Sequence, residues 1–379
     1  MTRGLPTVRI VEEALREGVQ IERVGIETAA KVELLDALSA TGLDEIVVGS
    51  FVRGDWVPQM AHVEEVIERM TVVPGVRYRA LVLNDKGAAR RDRYVPPLSV
   101  DASPRLTVHA CDVFAQRNTN RGQAAELAGL TAAADRVGPG EEPATVRVNA
   151  AFGSNYLGDV EPELVLGLIA RMMDVWERAG RRVDTVWLGD PMGWNTPLGV
   201  EHLVTQVIAR WPHVRRVHLH LHDQRGAALV SAYAAIRALG AEHELVLDAA
   251  VGGVGGCPYC GNGRAAGMIA TEDLVDMLQE MGIPTGIDLD RLVEAAVLAE
   301  TVFGHPLYGK VALAGPRPRG DRLYPMDMPL VETVEEAAHY RLGPEAYAGG
   351  LRPWRRPVAS PQRARAERGE PVVHVVEPG

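Results

Sequence analysis

The chain is poor in cysteine, has no long apolar run and has no excess of positive charge, and each shortage removes a class of protein. Three cysteines among 379 residues, Cys111, Cys257 and Cys260, are too few for a disulfide framework. Cys257 and Cys260 form a C-x-x-C, but no second pair completes a four-thiolate zinc site. The motif also lies in a glycine-rich loop instead of opening a helix, which argues against a redox role. No run of about 18 apolar residues is present to span a bilayer. Met1 to Glu12 lacks the apolar core of a secretory signal, so a cytoplasmic protein with no membrane partner is expected. The balance of 40 basic and 50 acidic side chains, a net charge of -10, argues against a nucleic-acid partner, because that affinity rests on neutralising phosphates. Dinucleotide and P-loop fingerprints are missing as well: Ala14 to Gln20, after the first strand, has no G-x-G-x-x-G, and no G-x-x-x-x-G-K-[ST] occurs anywhere.

What is present is a regular alternation of short β-branched runs and helical patterns. Strands are predicted at Thr7–Glu12, Glu45–Gly49, Arg77–Leu83, Arg105–Ala110, Thr145–Ala150, Thr185–Gly189, Arg216–His220 and Glu244–Ala249. Helices are clearest at Ala29–Ala40, Val63–Met70, Gly122–Arg136, Glu161–Ala179, Gly199–Arg210 and Gly226–Leu239. Eight strand and crossover units predict an α/β chain folded as a (β/α)8 TIM barrel over residues 1–304. A C-terminal extension, 305–379, would follow as a dimer contact or pocket cover. An open doubly wound sheet is the alternative, but it gives no reason to stop at eight repeats.

A barrel gathers its chemistry at the carboxyl ends of its strands. There the sequence places Arg16 and Glu17, Ser50, Asn84, Asp112, Asn149, Asp190, His220 to Asp223 and Cys257. His218, His220 and His222 stand at alternate positions, roughly 6.6 Å apart along one strand face. One isolated histidine is more often a core or hydrogen-bonded residue, but three on one face ending at Asp223 favour a site. With Glu17, His220 and His222 make a two-imidazole, one-carboxylate set suited to one divalent metal, Mg²⁺ or Mn²⁺ first and Zn²⁺ also admissible. Arg16 would stabilise an enolate or carboxylate oxygen through its fork of donors. Cys257, a thiol with an ordinary pKa of about 8.5, is mostly protonated at neutral pH and can give its proton to a carbanion. The glycines around it, Gly252, Gly253, Gly255, Gly256, Gly261, Gly263 and Gly267, suit a mobile lid.

At these residues the sequence resembles the DRE-TIM metallolyases, the barrel family that includes 3-hydroxy-3-methylglutaryl-CoA lyase and the isopropylmalate and homocitrate synthases. The resemblance covers roughly residues 7–300. It is carried by Arg16-Glu17-Gly18-x-Gln20, Ser50-Phe51-Val52, Trp56-Val57-Pro58-Gln59-Met60, His220-Leu221-His222-Asp223 with Gly226, Gly255-Gly256-Cys257-Pro258-Tyr259, and Ala270-Thr271-Glu272-Asp273-Leu274. It implies that Arg16 steadies the enolate, that Glu17, His220 and His222 bind metal, and that Cys257 is the loop acid. It further implies that Asp190 is an active-site acid and that Asn84 stands in the pocket, to which Asn149 is added. Two positions depart from the pattern. Met268 stands where the lyases have a metal-binding Asn, leaving that ligand to water or to Asn262, and Val47 stands where the family has a glutamate. The activity implied is a metal-dependent carbon-carbon lyase of retro-Claisen or retro-aldol type acting on a small 3-hydroxyacyl substrate, possibly a coenzyme A ester, in a homodimer. A Claisen-type synthase joining an acyl-CoA or enolisable acid to a 2-oxo acid is the alternative, favoured by the Glu form at residue 17. A barrel that binds ligand without catalysis is the third reading, raised by Met268 and Val47.

Overall fold

The computed structural model describes residues 4–100, 103–258, 267–319 and 368–370. Eight parallel strands form one sheet: β1 (Thr7–Glu12), β2 (Glu45–Ser50), β3 (Arg77–Leu81), β4 (Arg105–His109), β5 (Ala144–Asn149), β6 (Val183–Asp190), β7 (Arg216–Leu221) and β8 (Glu244–Ala249). The neighbour order is β3-β2-β1-β8-β7-β6-β5-β4, which is the cyclic order of a barrel opened between β3 and β4. Among the described residues no ladder joins those two strands, and Leu98 instead bridges to Tyr78 beside β3. The sheet is nevertheless curled, because residues of all eight strands, from Arg9 and Val11 on β1 to Val246 and Asp248 on β8, line a single cavity of about 830 Å³. A flat sheet could not enclose one space with every strand. The predicted barrel is therefore the observed architecture.

The alternation of side chains explains where the core sits. Residues such as Ile10, Ile46, Leu106, Val146, Leu188, Leu219 and Leu247 are buried, and their strand neighbours of the opposite parity line the cavity. The helices cover the outer face: α1 (Thr28–Ser39), α2 (Val63–Arg69), α3 (Asp85–Arg91), α4 (Asp112–Thr119), α5 (Gln123–Val137), α6 (Pro162–Arg178), α7 (Pro197–Arg210), α8 (Ala228–Ala238), α9 (Thr271–Glu280) and α10 (Leu289–Phe303). Helix α6 shows the rule. Pro162 occupies its first turn, and Val165, Leu166, Ile169, Met172, Met173 and Trp176 recur at spacings that put them on one buried stripe. Helix α7 begins at a Thr196 cap that accepts from Gly199 N at 3.1 Å, with Pro197 at its first position. Inside the barrel the parity is mostly polar, with Val11, Val47 and Val246 forming a small apolar cluster. Val47 thus replaces the expected acid with a packing contact.

Chain contacts divide the molecule at residue 309, close to the predicted boundary at 304. In the second unit the described residues include a short helix, Lys310–Ala314, and a turn in which Arg368 pairs with Glu370 at 2.8 Å. Residues 320–367 and 371–379 of the predicted extension lie outside the described residues. Among the described residues no helix is long and apolar enough to cross a membrane.

Candidate metal centre and active site

The Arg16-Glu17-Gly18 motif lies on one wide turn immediately after β1. The N–H groups of Arg16, Glu17 and Gly18 all point back to Glu13 O, at 3.0, 2.8 and 3.2 Å. Such a widened turn is uncommon and frequent at functional sites. It turns Arg16 and Glu17 into the cavity mouth together. Arg16 Nε donates to Glu13 Oε2 at 2.7 Å and its Nη1 donates to Glu17 Oε2. Burial alone would lower the guanidinium pKa, but the two carboxylates outweigh it and hold the group charged.

Across the mouth, β7 ends with the histidines. His220 Nε2 lies 3.1 Å from His222 Nε2, and His222 Nε2 lies 3.6 Å from Glu17 Oε1. The ligand atoms of these three buried residues all fall within 4.8 Å of one another. Behind them each ring is held by its other nitrogen: His220 Nδ1 against Asp248 Oδ2 at 2.8 Å, and His222 Nδ1 against the Gln224 carboxamide at 3.1 Å. Asp248 also holds His218 Nε2 at 2.6 Å. Burial would raise the Asp248 carboxyl, but the two imidazoles outweigh it and hold it well below the usual carboxylate range. Burial, then His220 and Arg16, push His222 well below its ordinary value, which keeps it neutral. Burial opposes charge on His220 too, yet Asp248 and Glu17 draw it upward. Two Nε2 atoms this close need a shared positive centre. A proton between them serves, and a divalent cation replaces that proton when it binds. The donor set therefore fits a metal ion.

The structure brings together Arg16, Glu17, His220 and His222, as the sequence predicted. Cys257 joins the same cavity from the loop after β8, where it is buried against Cys111, Phe114, Ala150 and Met192. That loop passes directly over the first motif. Gly255 has φ +113°, and a Cβ there would lie 3.1 Å from the Glu17 carbonyl, so only glycine fits. Asn149 also lines the cavity, its Oδ1 accepting from Ala150 N at 3.1 Å.

Two predicted residues take other places. Asp190 is fully buried, and its oxygens accept from Trp194 N at 2.9 Å, Asn195 N at 2.8 Å and Asn195 Nδ2 at 2.6 Å. Asn195 Nδ2 in turn donates to His222 O at 2.8 Å. Asp190 thus holds the loop after β6 against the ligand strand, and is not among the residues lining the cavity. Burial raises its pKa. Asn84 is exposed and caps α3, accepting from Gly87 N at 2.9 Å; it does not line the cavity, because the cap satisfies its oxygen locally. Asn262 and Cys260 lie outside the described residues. Met268 is buried, and its backbone bridges to His222.

Several supporting residues do not stand out in the sequence, Asp248, His109 and Asn195 among them. Asp248 shares the register Asp248–His220 across β8 and β7, a parity signal open to any reader who pairs the strands. His109, the last inward position of β4, hydrogen-bonds through Nδ1 to Glu126 Oε1 at 2.8 Å. Asn195 carried no signal beyond lying in a loop.

The HMGL-like family profile matches residues 7–299. The (R)-citramalyl-CoA lyase of Chloroflexus aurantiacus is 35% identical over 331 residues, covering 82% of this chain and 96% of that protein. A 3-hydroxy-3-isohexenylglutaryl-CoA/hydroxy-methylglutaryl-CoA lyase of Pseudomonas aeruginosa is also 35% identical, over 300 residues, covering 78% of this chain and 93% of the relative. Among solved structures, an HMG-CoA lyase from Acinetobacter baumannii in complex with coenzyme A and 3-methylmalate superposes with TM-score 0.67 at 30% identity, covering 85% of this chain and 97% of that one.

Proposed function

Since the chain belongs to the HMGL-like family, we propose that it is a divalent-metal-dependent lyase that cleaves a carbon-carbon bond in a 3-hydroxyacyl-CoA. The observation that carries this reading is the convergence of Glu17, His220 and His222 within 4.8 Å, beside Arg16 and below the Cys257 loop. Glu17, His220 and His222 would hold the ion, Mg²⁺ or Mn²⁺ in preference to Zn²⁺, and the chemistry it supplies is polarisation of substrate oxygen.

The remaining work falls to the chain. Arg16, fixed by Glu13 and Glu17, presents N–H donors to the oxygen on which negative charge develops, and needs no reorientation as it forms. A carboxylate at the cavity mouth takes the proton of the 3-hydroxyl as that carbon becomes a carbonyl, since both ring nitrogens of His220 are engaged. The bond between the 2- and 3-carbons breaks toward the thioester, leaving an acyl-thioester enolate. Cys257 Sγ gives that carbon its proton, and its place among Cys111, Phe114, Ala150 and Met192 keeps water away from it. Asp190 and Asn195 act behind the site by fixing the His222 backbone. A further ligand would come from water or from Asn262, which lies outside the described residues.

Incubation with Mg²⁺ or Mn²⁺ and either 3-hydroxy-3-methylglutaryl-CoA or citramalyl-CoA, following acetyl-CoA release, tests the proposal. Cleavage that Cys257→Ser abolishes is the expected result. Condensation indifferent to that change would instead favour a synthase, and metal binding with neither activity would favour a binding protein. The lyase relatives support cleavage over condensation. A cytoplasmic homodimer, with the segment after residue 304 as dimer contact or pocket cover, is the expected form, and light scattering of the full chain against one truncated at 309 checks the assembly.

A further inference from the structure

On the side of the cavity away from the metal ligands stands a relay that the mechanism above does not use. Glu126, one turn into α5, is saturated by donors: His109 N at 3.0 Å, His109 Nδ1 at 2.8 Å and Thr119 Oγ1 at 3.3 Å. A carboxylate so occupied fixes the imidazole proton on Nδ1 and leaves a lone pair on Nε2. That lone pair accepts from two carboxamides, Asn118 Nδ2 at 3.1 Å and Asn149 Nδ2 at 3.4 Å. The Asn149 amide cannot be turned around, because its Oδ1 is engaged by Ala150 N. Each amide nitrogen has two hydrogens and gives one to His109. His109 itself is buried, whereas Asn149 is half-exposed, Asn118 is exposed, and both line the cavity. Gly189 makes room for this arrangement, since a Cβ there would lie 2.7 Å from Asn149 Oδ1.

We infer that Glu126 and His109 are positioning residues that aim the Asn118 and Asn149 amides at a carboxylate of the substrate, on the β4–β5 wall against which Cys257 packs. The inference rests on the lyase reading for its place in the reaction: both glutaryl and citramalyl thioesters carry a carboxylate at the end remote from sulfur, and the carbonyl fragment keeps it. An acceptor-only, charged oxygen is what two oriented amide donors recognise.

The test compares the full wild-type chain with His109→Phe, His109→Gln, Glu126→Gln and Asn149→Ala, each loaded with Mg²⁺. Two substrates are used: 3-hydroxy-3-methylglutaryl-CoA, read by cleavage, and acetyl-CoA, which has no carboxylate, read by deuterium exchange into its methyl group in D₂O. His109→Phe and Asn149→Ala are expected to raise KM for cleavage about 10- to 100-fold with kcat nearly unchanged, the size of one or two charge-assisted hydrogen bonds. His109→Gln, which keeps an acceptor, recovers most of the loss, and Glu126→Gln falls between. Acetyl-CoA exchange stays at the wild-type rate in all four. Equal damage to cleavage and exchange, or an unchanged KM, overturns the assignment; if His109→Phe does not fold, Asn149→Ala alone decides. Should the wild type neither cleave nor exchange, the lyase reading fails separately. The subsite is then judged by melting temperature with 3-hydroxyglutarate: a rise that Asn149→Ala lacks upholds it, and no difference overturns it.

Discussion

The two walls of the cavity use polar groups in opposite ways. On the wall of β1, β7 and β8 the charges answer one another: Arg16 lies between Glu13 and Glu17, and Asp248 between His218 and His220, so what is left over is a convergent set of lone pairs. On the wall of β4 and β5 the chain Glu126–His109–Asn149 ends in neutral N–H donors. The difference teaches that charge on the first wall is spent on holding side chains still, while the subsite proposed on the second ends in neutral donors, with Arg105 and Arg147 lining the cavity beside them. It also explains how Val47 is tolerated. The acid expected on β2 is gone, but Val11, Val47 and Val246 close the space with apolar contacts, and neither wall depends on it.

The contrast can be broken most severely at the ligands. His222→Ala or Glu17→Ala should remove metal binding measured by titration calorimetry and lower cleavage by about 10³-fold or more, the scale of a lost Lewis acid worth several kcal/mol. His109→Phe should leave the same calorimetric isotherm unchanged, and a shifted isotherm would merge the two walls into one unit. A smaller effect is expected at Asp248. Asp248→Asn should weaken metal affinity about 10- to 100-fold by freeing both imidazoles to turn, without altering which substrate is preferred. Equal affinity in wild type and variant would remove Asp248 from the account.

The smallest effect concerns the ground beneath the first wall. Glu272, buried at the start of α9, accepts from Gly252 N at 2.9 Å, and burial pushes its pKa from 4.5 up to about 8. Because the folded value is the higher one, the folded chain holds this proton longer than the unfolded chain. Its contribution is full below about pH 4.5 and is lost as pH rises through about 8. Glu272→Gln should therefore raise the melting temperature by a few degrees at pH 8.5 and hardly at all at pH 5, with cleavage kinetics intact. A shift of the same size at both pH values would contradict a protonated Glu272.

Most of the fold was legible because parity and period are local. β1 and β8 have the predicted bounds, and the other strands differ by a few residues at their ends. His220 and His222 were legible for the same reason, as alternate residues near a strand end, and Glu17 because it follows the first strand. The partners were harder. Glu126 reaches His109 only because α5 folds back over β4, and Asp248 meets His220 only through strand register; neither follows from spacing along the chain. Asn84 was misread for a physical reason: an Asn placed before a helix has its own backbone donor at hand, and that nearby bond wins over a place in the pocket. Asp190 is expected as an active-site acid, whereas its contact with Asn195, which no pattern marks, ties it to the His222 backbone instead.

The contact of Gly255 with the Glu17 carbonyl ties two functions that could have evolved apart. The Cys257 loop and the turn that carries Glu17 share a single backbone seam, so the thiol cannot be moved by lengthening or stiffening its loop at that point without also shifting the carboxylate. Drift in one obliges a matching change in the other. The β4–β5 side meets the same loop, because Cys111, Phe114 and Ala150 pack against Cys257.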